Sequence, residues 1–167
     1  VNAFGTTTVN NTGNYNIALG SNVLFDNTTG DYNVALGDTA MRRNTTGYNN
    51  VALGQNALLS NTTGNRNIAV GLDALNANTT GYSNIAIGQD ALGDNIDAYG
   101  NLAIGAGALS VNTIGTANVA LGQSALTSNI SGGGLTAAGF TALYRNTADS
   151  NSAFGFQAGY SITSGTY

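Results

Sequence analysis

The sequence contains no cysteine, proline, histidine or tryptophan, and no lysine or glutamate either. The missing cysteines exclude a disulfide framework. Catalysis needs nucleophiles and general acids or bases, and aspartate is the main residue left for those roles. We therefore expect a protein that is not an enzyme and that has no metal centre and no cofactor.

Charge is scarce as well: charged residues make up 7% of the chain and the net charge is −4. The cations are Arg42, Arg43, Arg66 and Arg145. Phosphate contacts need clustered cations, so we expect no nucleic-acid partner. No apolar run approaches the ~20 residues of a membrane helix, so we expect no membrane insertion by this segment.

A 17-residue period organises the sequence. One unit consists of Asn50–Gly54, then Ala57 and Leu58, then the turn Asn61–Gly64. The units close at Gly5, Gly20, Gly37, Gly54, Gly71, Gly88, Gly105, Gly122, Gly139 and Gly155. The turn asparagines are Asn27, Asn44, Asn61, Asn78, Asn95, Asn112, Asn129 and Asn146. A fixed period near 20 residues predicts a solenoid.

The same period sets the expected domain limits. Residues 1–160 form one repeat domain without a linker, and residues 161–167 are expected to be a cap or the start of a following segment. Because Val1–Gly5 already follow the repeat, we expect the chain to begin inside a longer polypeptide whose anchor and targeting segments lie elsewhere.

Alternation within a unit predicts strands. Val51 and Leu53 share one face and Ala52 the other, as the period of two requires. We predict a second, shorter strand around Asn56–Leu59 and a turn at Asn61–Gly64, where Asn, Thr and Gly favour turn geometry. The expected fold is an all-β parallel solenoid of about nine coils, each with two short strands. The turn asparagines are expected to form an internal amide ladder.

The apolar side chains suggest an oligomer. If Val51, Leu53 and Leu58 fill the coil, the core is too thin to offset a backbone ordering cost of ~1–2 kcal/mol per residue. The small alanines on the opposite strand face then form a flat surface for close subunit contact around a symmetry axis. These predicted interface residues are Ala18, Ala35, Ala52, Ala69, Ala86, Ala103, Ala120 and Ala137.

The unit Asn-x-Ala-x-Gly, followed by Ala and a Gly turn, resembles the head repeats of YadA-type trimeric autotransporter adhesins. The longer form with Asn-Thr-Thr-Gly also looks like repeats of phage tail-fibre proteins. The resemblance implies a left-handed parallel β-roll and a homotrimer of side-by-side or intertwined chains. It further implies an extracellular place, on a cell surface or in a virion fibre. The 17-residue repeat is longer than that of the adhesin heads.

Exposed aromatic and basic residues are the candidates for ligand binding. Tyr48, Tyr82 and Tyr99 share one repeat position, and their rings can stack on sugars; the alternative is that the rings pack on one another and cover the turns. Arg42 and Arg43 form the one basic spot and can meet an acidic glycan; the alternative is a solvated pair.

Two further patterns suggest other chemistry. Asp90, Asp94 and Asp97 are the one local group of carboxylates, so a glycosidase-like pair or a calcium site stands against simple solvated turns. Paired threonines, such as Thr62 and Thr63, resemble the array of ice-binding solenoids, although the pattern fails at Ile96 and Ile114.

Together these patterns predict a homotrimeric fibre or adhesin-head segment. Its expected mechanism is multivalent attachment to a surface glycan or another component of the cell envelope. The alternative is a purely structural spacer of a tail-fibre-like protein, and an ice-binding solenoid is the third hypothesis.

Overall fold

A computed structural model describes residues 12–146 and 148–162. The unit that closes at Gly5, Thr147 and most of the expected C-terminal segment lie outside the described residues. Within them, nine three-residue strands form one parallel sheet in chain order. The strands are β1 Ile17–Leu19, β2 Val34–Leu36, β3 Val51–Leu53, β4 Ile68–Val70, β5 Ile85–Ile87, β6 Leu102–Ile104, β7 Val119–Leu121, β8 Thr136–Ala138 and β9 Ser152–Phe154.

Strand register follows the repeat. Val51 pairs with Ile68, and Ala52 with Ala69, one period further along the chain. The last step, from Ala137 to Ala153, is one residue shorter. The all-β solenoid predicted from the period is confirmed. In the described ranges, no helix is long and apolar enough to span a membrane.

Each described coil has one strand, so the prediction of two strands per coil is wrong for this part of the chain. In the segment expected to form the second strand, Asn56 and Leu58 have φ angles of 57° and 52°. These left-handed conformations bend the backbone repeatedly, which an extended strand does not allow. The segment still bonds to the next coil, since the Leu58 amide donates to the Ala74 carbonyl at 3.0 Å.

The interior of the coil holds the alanines of the strands. Ala52 is fully buried in the single chain, as are Ala57 and Leu58 from the bend that follows the strand. Val51 and Leu53 lie on the outside and are half-buried. Because the bend supplies Leu58 as the large side chain, a small residue fills the remaining space on the strand side.

The predicted intersubunit role of the alanines is therefore wrong. A side chain that is fully enclosed by its own chain cannot form a surface for a second chain. Seven of the predicted interface residues have 0% exposure in the single chain, namely Ala35, Ala52, Ala69, Ala86, Ala103, Ala120 and Ala137. Ala18, in the first described coil, is partly buried and packs against the same core.

The predicted amide ladder is confirmed from Asn27 to Asn129, whereas the Asn146 side chain donates to the Ala148 carbonyl instead. The side-chain amide of Asn61 donates to Asn44 Oδ1 at 2.7 Å and to the Gly64 carbonyl at 3.0 Å. The first bond joins neighbouring coils, and the second closes the turn within one coil. Since these asparagines are buried, each bond replaces one that water would otherwise make.

A second amide ladder was not predicted. It precedes the strands and contains Asn16, Asn33, Asn50, Asn67, Asn84, Asn101 and Asn118. The backbone amide of Asn67 donates to Asn50 Oδ1 at 3.0 Å, and the Asn50 side chain donates to the Gly64 carbonyl at 2.9 Å. Leu135 interrupts the ladder, although its backbone amide still donates to Asn118 Oδ1.

Thr141 occupies an unfavourable place in the bend, and we expect Thr141→Asn to stabilise the fold. It has a φ of 50°, and its buried Oγ1 has no hydrogen-bond partner among the described residues. Asparagine tolerates this conformation, and Asn56 at the equivalent position donates to Asp73 in the next coil at 2.8 Å. The expected gain is about 1 kcal/mol, measured by denaturant unfolding at fixed protein concentration.

Thr39→Asn is the matched control for this substitution. Thr39 also has a positive φ of 57°, but its hydroxyl donates to Asn56 Oδ1 at 2.6 Å. The control substitution removes this bond, so it should raise the free energy of unfolding by less than Thr141→Asn does. Equal gains in both variants would mean that the unpaired hydroxyl of Thr141 costs nothing.

Candidate interaction surfaces

The outer face of the sheet is a continuous apolar surface from β1 to β7. We define the outer sheet face as the first and third residue of each strand. From β1 to β7 these positions are Ile17, Leu19, Val34, Leu36, Val51, Leu53, Ile68, Val70, Ile85, Ile87, Leu102, Ile104, Val119 and Leu121. In mid-sheet, Ile87 and Ile104 are 38% and 39% exposed. None of these positions carries a charge.

The size of the outer sheet face can be estimated from the strand geometry. Nine strands spaced about 4.8 Å apart, with three residues of about 3.3 Å each, cover a footprint on the order of 400 Å². Its projecting side chains give a larger accessible area. This is the size of the largest apolar patch on a typical monomer, and such patches are often functional.

The tyrosines pack on one another along the solenoid. The rings of Tyr82 and Tyr99 are stacked with centroids 4.8 Å apart and planes at 4°, and Tyr15 stacks on Tyr32 in the same way. Tyr48 belongs to neither of these two stacks; the Arg66 guanidinium lies over its ring, 5.7 Å from the centroid. One face of each stacked ring is therefore covered, while Tyr48, Tyr82 and Tyr99 all remain exposed at their outer parts.

Arg42 and Arg43 do not join the tyrosines in one site. Both are exposed, and the Arg42 guanidinium lies 5.9 Å from the ring centroid of Phe25 in the preceding coil. That contact is a cation–π interaction within the chain, which holds one of the two cations against the surface. The structure thus brings Tyr82 and Tyr99 together but leaves Tyr48 and the arginine pair at separate places.

The three carboxylates of Asp90, Asp94 and Asp97 do not form one site either. Asp90 and Asp94 line an open groove of about 350 Å³, together with Gly93 and Gly107. Asp97 lies on the turn of that coil and does not line the groove. Within the described ranges, no group of three or more metal-binding side chains comes together.

The two threonines of each pair differ in their contacts. In the first column, the Thr62 hydroxyl donates to the Thr79 carbonyl of the next coil at 3.1 Å, and Thr45 donates to Thr62 in the same way. These hydroxyls serve the stacking of coils. In the second column, Thr46, Thr63 and Thr80 are exposed. A two-column array of free hydroxyls is therefore not present at these turns.

No family model, curated protein or solved structure matches this chain. The resemblance to YadA-type and tail-fibre repeats stays a prediction from the sequence.

Proposed function

We propose that this chain is a segment of a homotrimeric extracellular fibre, a structural and adhesive element rather than an enzyme. Three copies associate through their outer sheet faces, on a cell surface or in a virion fibre. The observation that carries this proposal is the uncharged ladder of Val, Ile and Leu outside the single chain.

Association relieves the cost of exposing the outer sheet face. Burying apolar surface contributes roughly 25 cal/mol per Å², and a standard interface takes about 800 Å² from each partner. A footprint on the order of 400 Å² with projecting side chains is a large part of that requirement. Cyclic symmetry gives each copy the same surroundings and leaves no outer sheet face unpaired. The threefold order comes from the sequence resemblance.

Attachment would come from the surfaces that point away from the axis. The tyrosines and the second threonine column recur along the chain at the spacing of the coils. Three copies present each position three times, so weak contacts with a surface glycan or envelope component add up to strong avidity. The contact groups in this proposal are the hydroxyl groups and ring edges of Tyr48, Tyr82 and Tyr99.

The mass of the unmodified chain in solution tests the assembly. Light scattering over a series of dilutions should give three times the chain mass of 16.8 kDa. A mass that stays at one chain would overturn the fibre proposal, because the outer sheet face would then be stable in water.

Replacing Tyr48, Tyr82 and Tyr99 together by alanine tests attachment. We expect the trimer to remain and the glycan-array signal to fall at least tenfold, since stacking contacts of each ring are multiplied by three chains. The control is Tyr144→Ala, which removes a ring of the separate Tyr144–Tyr160 stack. An unchanged signal in the triple variant would favour the alternative, a spacer that holds a binding tip elsewhere.

A further inference from the structure

We infer that β8 and β9 act as a register key, which sets the axial alignment of copies of this chain on one another. The inference rests on the proposed assembly through the outer sheet face and names the residues that determine its alignment. A uniform ladder of apolar side chains does not by itself set this axial alignment.

From β1 to β7 the outer sheet face is nearly the same in every coil. Each strand presents two residues chosen from Val, Ile and Leu. If one copy slides past another by one coil, about 4.8 Å, like residues again meet like residues. Only the contacts at the two ends of the ladder are lost. Pairing between such uniform surfaces is weakly specified in register.

The ladder changes at the C-terminal end. In β8 the two outer positions are Thr136 and Ala138, which are small, and Ala138 pairs in register with Phe154 of β9. Phe154 is 72% exposed, compared with 55% for the equivalent Leu19 at the other end of the sheet and 38% for Ile87 in mid-sheet. Beside it, Phe156 is equally exposed and stacks on Phe140 with centroids 5.5 Å apart.

These residues distinguish one alignment from the others. Only when copies are in register do all Phe154 rings lie at the same level and pack on one another. A slip of one coil places a Phe154 ring against the small Thr136 and Ala138 row, and the partner's ring is left without a counterpart. Aromatic side chains bury about 150–250 Å² each, so the aligned state gains contact that every slipped state loses.

The chemistry of the outer sheet face favours a second copy of this chain as its occupant. The face has no charged residue to select another partner, and its side chains repeat at the strand spacing over about 40 Å. A copy in parallel orientation has the same strand spacing and, from β1 to β7, the same apolar side chains. Its Phe154 also supplies the partner that the exposed ring lacks.

Disulfide trapping tests the alignment, because the chain has no native cysteine. Two differently tagged chains, one with Ile87→Cys and the other with Ile104→Cys, are refolded together and oxidised. A disulfide between positions 87 and 104 reports a slip of one coil, and one between equal positions, in chains that carry the same substitution, reports alignment. In the otherwise unmodified chain, the slipped product should be at most about a tenth of the aligned product.

The combined substitution Phe154→Ala and Phe156→Ala should raise the slipped fraction at least fivefold while the mass stays at three chains. Phe154→Leu, which makes the ladder more uniform without leaving a gap, should raise it as well. The control is Ile17→Ala with Leu19→Ala, which removes apolar surface at the other end of the ladder without altering the key. This control should leave the slipped fraction low.

Two results separate the inference from the proposed function. A trimer whose slipped fraction is unchanged by both phenylalanine variants overturns the register key and leaves the fibre proposal standing. A monomer for the parent chain overturns both. An increased slip in the Ile17 and Leu19 control, equal to that of the phenylalanine variants, would also overturn the key, because any loss of end contacts would then suffice.

Discussion

Replacing Ile87 by aspartate is expected to convert the assembled protein into monomers. Ile87 lies in the middle of the outer sheet face, and its side chain points away from the core of its own chain. In a threefold assembly, three carboxylates would be buried at the same level. Burial of each charge costs several kcal/mol, and like charges at this distance repel one another. We expect the assembly to weaken by at least a thousandfold.

Light scattering and circular dichroism together measure this effect, since the single chain should keep its sheet. The matched control is Thr80→Asp, which adds the same charge at an exposed turn position where the next coil naturally has Asp97. The control should remain a trimer. Persistence of the trimer in Ile87→Asp would show that the outer sheet face is not the interface.

Ala86→Arg, at the neighbouring residue, distinguishes the buried position of Ala86 in the structure from the intersubunit position predicted from the sequence. Ala86 is fully enclosed by its own chain, so a long cation there has no space and no partner. The sequence-based assignment predicted a folded protein that fails to assemble. The buried position instead predicts loss of the solenoid itself, visible as loss of the β-sheet dichroism.

Gly88→Ala is expected to destabilise the solenoid by about 2–6 kcal/mol. Gly88 has a φ of 132°, and a Cβ atom there would lie 2.6 Å from the carbonyl carbon of Gly105 in the next coil. The conformation is accessible essentially to glycine alone, and the clash is with backbone that the sheet holds in place. Strain and overpacking each cost about 1–3 kcal/mol, which together is a large part of a typical stability of about 5–15 kcal/mol.

Gly93→Ala is the matched control for Gly88→Ala. A Cβ atom at Gly93 would have its nearest neighbour, the Asp90 carbonyl oxygen, at 3.4 Å, and the backbone there is not in the left-handed region. We expect its free energy of unfolding to lie within about 0.5 kcal/mol of that of the parent, measured by denaturant titration. If Gly88→Ala unfolds at the same denaturant concentration as the control, the close stacking of the glycines is not required.

Much of the fold follows from the repeat. A single coil cannot bury its apolar side chains, so a sequence that repeats them every 17 residues has to stack its coils. The turn asparagines follow from the same reasoning, because their amides meet in neighbouring coils. The second ladder, which includes Asn50 and Asn67, repeats just as strictly. It was missed because an asparagine beside a strand is equally typical of a solvated strand end.

The alternation along the strand was enough to predict that Val51 and Leu53 lie opposite Ala52, since successive strand residues point to opposite faces. Which of the two faces lies inside depends on the stacked coils and could not be predicted from the alternation. The bend after the strand turns Ala57 and Leu58 into the coil through left-handed residues, and Leu58 takes the volume that Val51 and Leu53 were expected to fill. That bend depends on bonds between coils, such as Leu58 to Ala74, which no single repeat contains. The apolar surface proposed for assembly is therefore a consequence of stacking rather than of the pattern within one unit.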